Sequence, residues 1–106
     1  MEIHKLHEML TEAGIEHEFR ERARKEDKPF YEKCGIDLGY QVIVYYPDGE
    51  RMISAIEGYG TYGVEQDLIE IMGLLTPEEE ECDSVVGYLT AEEVFRRIKE
   101  AVDGLD

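Results

Sequence analysis

Tyr40-Gln41-Val42-Ile43-Val44-Tyr45-Tyr46, then Pro47-Asp48-Gly49, then the extended pattern of Glu50 to Glu57, is the stretch that decides the fold class. Its first part is dense in β-branched and aromatic side chains, which pack well on a pleated surface. Pro47 presets the backbone for a turn, Asp48 can hydrogen-bond its own backbone two residues on, and Gly49 accepts a positive φ. The segment predicts a β-hairpin, and strands joined by a tight turn run antiparallel.

Upstream, Ile3, Leu6, Leu10 and Ala13 recur at three- and four-residue steps and Gly14 follows, which predicts an amphipathic helix with a glycine exit. Ile15, His17 and Phe19 alternate with Glu16, Glu18 and Arg20, the period of a half-buried strand. Arg22 to Lys33 mixes charges around Pro29 without a clear period and reads as a mobile loop that a partner orders.

Downstream, Val64, Leu68, Ile71, Met72 and Leu75 fit a short helix interrupted at Gly73. Thr76-Pro77-Glu78-Glu79 and Thr90-Ala91-Glu92-Glu93 both spell a capping box, a Ser or Thr cap with Glu three residues on. The first opens a short helix or turn. The second opens a terminal helix carrying Val94, Phe95, Ile98 and Val102 and closed by Gly104, and between them Val85 to Leu89 suits an edge strand. The expected architecture is a single α+β domain over residues 1–106, with a small antiparallel sheet of about three or four strands, an N-terminal helix and C-terminal helices.

The net charge is −15, and its distribution is uneven. Residues 1–33 carry nine acids and seven bases, whereas residues 34–106 carry seventeen acids and four bases. Between Arg51 and Arg96 there is no Lys or Arg, while Glu57, Glu65, Asp67, Glu70, Glu78, Glu79, Glu80, Glu81, Asp83, Glu92 and Glu93 all lie in that window. Such a field repels nucleic acid and anionic lipid and attracts basic surfaces. Cys34 and Cys82 show no paired spacing and read as reduced, buried thiols. With no basic leader and no apolar run near the ~20 residues that span a bilayer, a cytoplasmic location in a bacterial cell is expected.

Gly58-Tyr59-Gly60-Thr61-Tyr62-Gly63 matches G-x-G-x-x-G literally, but it follows a hairpin strand rather than a parallel crossover, and the acidic field opposes a pyrophosphate. Its glycines read first as turn residues, with a small cofactor-binding protein as an alternative. Tyr59 and Tyr62 can serve instead as broad amphipathic contact anchors. His4 and His7, with Glu8 nearby, are an incomplete ligand set; there is no CxxC, and His17 stands alone in sequence, so these histidines read as solvent-facing and no metal site is expected. Ser54, Ser84, Cys34 and Cys82 sit in no recognisable nucleophile motif. No enzyme and no cofactor is predicted.

On a helix, Asp67 and Glu70 are about 4.5 Å apart along the axis, on the scale of the roughly 3.4 Å rise per phosphate of a DNA strand. That helix, Val64 to Met72, lacks the Lys residues that ordinarily relieve acids at four-residue steps.

Glu70-Ile71-Met72-Gly73-Leu74-Leu75-Thr76-Pro77-Glu78-Glu79 together with Val86-Gly87-Tyr88-Leu89-Thr90-Ala91-Glu92-Glu93-Val94-Phe95 resembles small acidic proteins encoded by phages and prophages of Firmicutes. By analogy the resemblance implies the class of anti-CRISPR inhibitors and other nucleic-acid mimics. The expected function is therefore non-enzymatic: a phage accessory protein that occupies a basic surface of a host nucleic-acid-binding protein, with no direct nucleic-acid or membrane contact. Tyr59, Tyr62, Glu65, Asp67, Glu70, Glu78, Glu79, Glu80, Glu81 and Asp83 are the candidate partner-binding residues. The alternative is a self-associating module, a homodimer formed through the apolar hairpin edge.

Overall fold

The computed structural model describes residues 1–61 and 63–105, so Tyr62 and Asp106 lie outside the described residues. Tyr40–Tyr45 (β2) and Arg51–Glu57 (β3) form the expected antiparallel hairpin. The Gly49 N–H donates to the Tyr46 carbonyl at 2.9 Å, and the Asp48 carboxylate accepts from the Glu50 N–H at 2.9 Å. The proline, aspartate and glycine thus do what their chemistry suggests.

The hairpin lies at the centre of a five-stranded antiparallel sheet in the order β1-β2-β3-β4-β5, where β1 is Glu18–Glu21, β4 is Ile69–Met72 and β5 is Val86–Leu89. The sheet is α+β as read, with one or two more strands than expected. Two helices cover one face: α1 (Glu2–Glu12) packs on β2 and β3, and the terminal helix, labelled below as α4 (Ala91–Asp103), packs on β4 and on α1. Ile3, Leu6 and Leu10 of α1 and Ala91, Val94 and Ile98 of α4 are fully buried against Val42, Val44, Ile53, Ala55, Ile69 and Ile71. Two short helices complete the chain, α2 (Lys28–Lys33) between β1 and β2 and α3 (Pro77–Cys82) between β4 and β5.

Both capping boxes are present. Thr76 Oγ1 accepts from the Glu79 N–H and Thr90 Oγ1 from the Glu93 N–H, each at 3.2 Å, and each glutamate returns a bond to the N–H of its threonine.

Four expectations are corrected. Val64 to Met72 is not a helix: a 3-10 turn at Val64–Gln66 leads into strand β4. Ile69 and Ile71 alternate inward around Glu70, and Asp67 (φ 59) and Leu74 (φ 54) take left-handed backbone on either side, which ends any helical run. The helical spacing was genuine, but a strand here satisfies the free edge of β3, and tertiary pairing overrides local preference. The stretch 22–33 is not all loop, since its second half forms α2. Cys34 and Cys82 are exposed rather than buried, because they end two short helices that bury no residue. Finally, His4 and His7 do not simply face solvent; both are half-buried against aromatic rings of the sheet.

Gly39 and Gly58 mark where the loops at one end of the hairpin touch. A Cβ on Gly39 (φ +74) would lie 1.8 Å from the Glu57 carbonyl oxygen, and one on Gly58 would lie 2.0 Å from that of Leu38. No side chain fits there without moving backbone. Gly39→Ala and Gly58→Ala should each cost roughly 2–4 kcal/mol in urea denaturation. The corresponding loss in melting temperature is about 10 °C or more.

Candidate functional site: an acidic sheet edge beside a buried carboxyl pair

The sheet is a meander, so position along the chain becomes position across the sheet. Residues 18–33, at the β1 edge, carry five acids and six bases. Residues 64–89, which build the β4–β5 edge, carry eight acids and no base. The charge asymmetry of the sequence is therefore an asymmetry between the two edges of one sheet.

The predicted partner-binding residues divide along that edge. Glu65 and Asp67 lie where β3 ends and β4 begins, with Tyr59 in the preceding loop. Glu78, Glu79, Glu80, Glu81 and Asp83 belong to α3 and its C-cap, at the opposite end of β4. Four strand residues at about 3.3 Å each separate the groups by on the order of 13 Å. Glu70 lies between them on the face opposite Ile69 and Ile71, paired in register with Ile56. Because residues 67 to 70 run into a strand rather than around a helix, the one-turn spacing of Asp67 and Glu70 does not exist; three extended residues span roughly 10 Å. Tyr62 lies outside the described residues.

Tyr59 is 61% exposed, yet its backbone is firmly held. Its N–H donates to the Asp37 carbonyl at 2.8 Å, and Arg22 Nη1 donates to the carbonyls of Tyr59 at 3.0 Å and Leu38 at 2.8 Å. An exposed ring on a fixed backbone loses little conformational freedom on contact, as a binding anchor requires. The dinucleotide alternative finds no matching surroundings: both neighbours of β3 are antiparallel, and a three-residue 3-10 turn, not a helix, follows the loop. The hairpin strands are each paired on both sides, so self-pairing through a free hairpin edge has no edge to use. The outer strands are poor templates too, since β1 carries Glu18, Arg20 and Glu21, and β5 is four residues long with a left-handed residue, Tyr88 (φ 61).

Glu79 and Asp67, among the predicted acids, are engaged in ties between elements of the fold, and Asp83 accepts from the Ser84 N–H at 2.6 Å. Glu79 forms a two-pronged ion pair with Arg97, at 2.7 and 2.8 Å, while also capping the Thr76 N–H at 2.8 Å. The Arg97 guanidinium, then the Thr76 N–H, hold its carboxyl down at about 2. Arg97 also donates to the Leu74 carbonyl at 2.9 Å, so this pair fastens α3 to α4. Asp67 is hydrogen-bonded to Glu57, which holds Asp67 below the usual carboxylate range. Among the described residues no cation pairs with Glu65, Glu78, Glu80, Glu81 or Asp83.

Glu57 is the functional-looking residue the sequence reading passed over. It is 1% exposed, and its carboxyl accepts the backbone N–H of Ile3 in the first turn of α1 at 2.9 Å. Burial first, then the hydrogen bond with Asp67, push its carboxyl up to about 7. Below about pH 7 the pair shares one proton, held on Glu57, with the negative charge on the more exposed Asp67. The signal was present: Ile53, Ala55 and Glu57 alternate along β3, so the period that sends the first two inward sends the glutamate in as well.

His17, read as solitary, meets His7 of α1, with Nδ1 of His7 and Nε2 of His17 2.7 Å apart. A broad groove of about 1150 Å³ runs between the C-terminal end of α1, the hairpin turn and the end of α4, with His17, Tyr46, Lys99 and Val102 among its walls. None of the predicted acids lines it. Among the described residues, no group of three or more His, Cys, Asp or Glu is arranged to hold a metal ion, and no helix is long and apolar enough to cross a membrane.

No protein-family model matches the chain, and no curated protein or solved structure shows significant similarity to it.

The carboxyl pair has a definite pH signature. Glu57 titrates higher in the folded chain (about 7) than its ordinary 4.5, so folding takes up a proton, and this stabilisation is complete below pH 4.5 and lost as pH rises through 7. Glu79 works the other way; its contribution is present above 4.5 and is lost as pH falls toward 2. Glu57→Gln keeps an acceptor for Ile3 and a donor for Asp67 without a titrating proton. Melting temperature measured from pH 5 to 8 should decline for the wild type relative to E57Q; parallel profiles would refute the assignment.

Proposed function

We propose that this protein is a non-enzymatic binding domain whose β4–β5 edge engages a basic protein surface in place of nucleic acid. The observation that carries the reading is the set of five carboxylates, Glu65, Glu78, Glu80, Glu81 and Asp83, that have no ion-pair partner among the described residues, on an edge built from a base-free stretch. Like charges concentrated on a folded surface repel one another, and an external cationic surface relieves that repulsion. Grooves that track nucleic-acid backbones are such surfaces, lined with Lys and Arg for phosphate contact. Tyr59, held at the same end as Glu65, supplies the aromatic contact that distinguishes one basic partner from another. The resemblance to small acidic phage proteins supports the same class, an inhibitor of a host nucleic-acid-binding effector of the anti-CRISPR type. Glu79 and Asp67 act mainly within the fold, holding α3 and the Glu57 proton in place.

Bacterial lysate passed over the immobilised protein and eluted with salt should yield a basic nucleic-acid-binding protein, and duplex or single-stranded nucleic acid should compete for it. Its association rate should fall at least about tenfold between roughly 50 and 500 mM salt. The triple variant Glu65→Lys, Glu80→Lys, Glu81→Lys should lose capture, whereas Arg20→Glu with Lys25→Glu on the opposite edge should retain it. A rate indifferent to salt, or capture unaffected by the triple variant, would overturn the reading.

A further inference from the structure

We infer that the carboxyl pair of Glu57 and Asp67 is a proton switch for the acidic edge. With the shared proton in place, the Asp67 carboxylate is engaged by Glu57. Without it, Asp67 turns to solvent and joins Glu65 in meeting the Lys or Arg side chains of a partner. The inference deepens the proposed function and rests on the reading of the β4–β5 edge as a surface for a basic protein.

The proton follows from the geometry. Two carboxyl groups can hydrogen-bond to each other only if one of them carries a proton, because an ionised carboxylate accepts and does not donate. Glu57 and Asp67 are bonded in this way. Glu57 is the fixed member: it is buried, and one of its oxygens is held by the Ile3 N–H at 2.9 Å. Asp67 is the outer member, with its side chain 61% exposed between the 3-10 turn and β4. When the proton leaves, two negative charges lie side by side, and the group that yields is the one that can reach water. The backbone has no need to follow, because the N–H groups of Gln66 and Leu68, on either side of Asp67, both donate to the Gly63 carbonyl, at 3.0 and 2.9 Å. The switch therefore changes charge and side-chain direction while the fold stays as it is.

The neighbours of the pair decide which member is ionised. From α1, the α-amino group of Met1, 4.0 Å from Asp67 Oδ2, the Glu2 N–H and the His4 ring all favour an ionised Asp67. From β2, Tyr40 stands opposite Glu57 in register, and Glu65 precedes Asp67 on the 3-10 turn. The α-amino group also draws Glu57 toward ionisation, but burial and Asp67 outweigh it, so the proton is lost only as pH rises through about 7. A partner's ammonium or guanidinium placed on Asp67 favours the doubly ionised pair. Binding and proton loss are then linked: a basic partner expels the proton, and rising pH strengthens its binding.

Fluorescent octalysine, whose ammonium groups stay charged throughout, serves as the basic probe at low salt. Between pH 5.5 and 8 its affinity for the wild type should rise about threefold more than its affinity for Glu57→Gln. The amide of that variant donates to Asp67 at every pH, and histidine titration is common to both proteins and cancels. In carbon-13 spectra of the wild type, the carboxyl resonances of Glu57 and Asp67 should shift together with one midpoint near 7, and saturating octalysine should lower that midpoint. If Glu57→Gln fails to fold, the wild-type spectra alone carry the test. Equal pH dependence in the two proteins, or a midpoint unmoved by bound octalysine, would overturn the switch and leave the reading of the acidic edge standing. Octalysine that binds neither protein would overturn both.

Discussion

A carboxyl group sits in the core of this protein because the alternation of β3 leaves it nowhere else to go. A buried polar group is tolerable only when its hydrogen bonds are made, and an ionised one only when its charge is answered. Glu57 meets both demands by keeping its proton up to about pH 7, accepting the Ile3 N–H with one oxygen and bonding to Asp67. Those two contacts tie three separate pieces of chain together: the first turn of α1, the end of β3 and the turn before β4. Met1, at the cap position of α1, makes no side-chain cap bond, so a residue from the sheet performs that service. The direction of α1 over the sheet follows, and with it the placement of Ile3, Leu6 and Leu10 in the core and of His4 and His7 over Phe19 and Tyr40.

The simple strand order has an electrostatic consequence. In a meander, strands adjacent in sequence are adjacent in space, so a charge gradient along the chain is preserved as a gradient across the sheet. A crossover topology would have interleaved the acidic and mixed segments and weakened the field of both. The fold also thins the acidic set: Arg97, reaching from α4, neutralises Glu79, and Lys5 pairs with Glu92 to bind α1 to α4. Among the described residues, the acids of this edge that no cation pairs with lie toward the two ends of β4, Glu65 at one and Glu78, Glu80, Glu81 and Asp83 at the other.

Elements specified by near neighbours were legible in the sequence. The hairpin turn needs only Pro47, Asp48 and Gly49, and each capping box needs only a threonine and a glutamate three residues on, so both appeared where they were read. Segment 64–72 was ambiguous for a physical reason. Leu68, Ile71, Met72 and Leu75 satisfy the helical period while Ile69 and Ile71 satisfy the period of a strand, and the decision belonged to the unpaired edge of β3. The short helices α2 and α3 lie too far from the core to bury their cysteines, which no local pattern around Cys34 or Cys82 reports.

Residue order alone therefore settled the α+β class, the central hairpin, the first and last helices and the bias of acid toward the C-terminal part, since these depend on period, turn chemistry and composition. Folding settled which charges remain available and which side chains meet. Glu57 with Asp67, Glu79 with Arg97 and His7 with His17 are brought together by sheet register and helix packing. The strength of each pairing depends on burial and on distances of a few ångströms, quantities that exist only once the strands have found their partners.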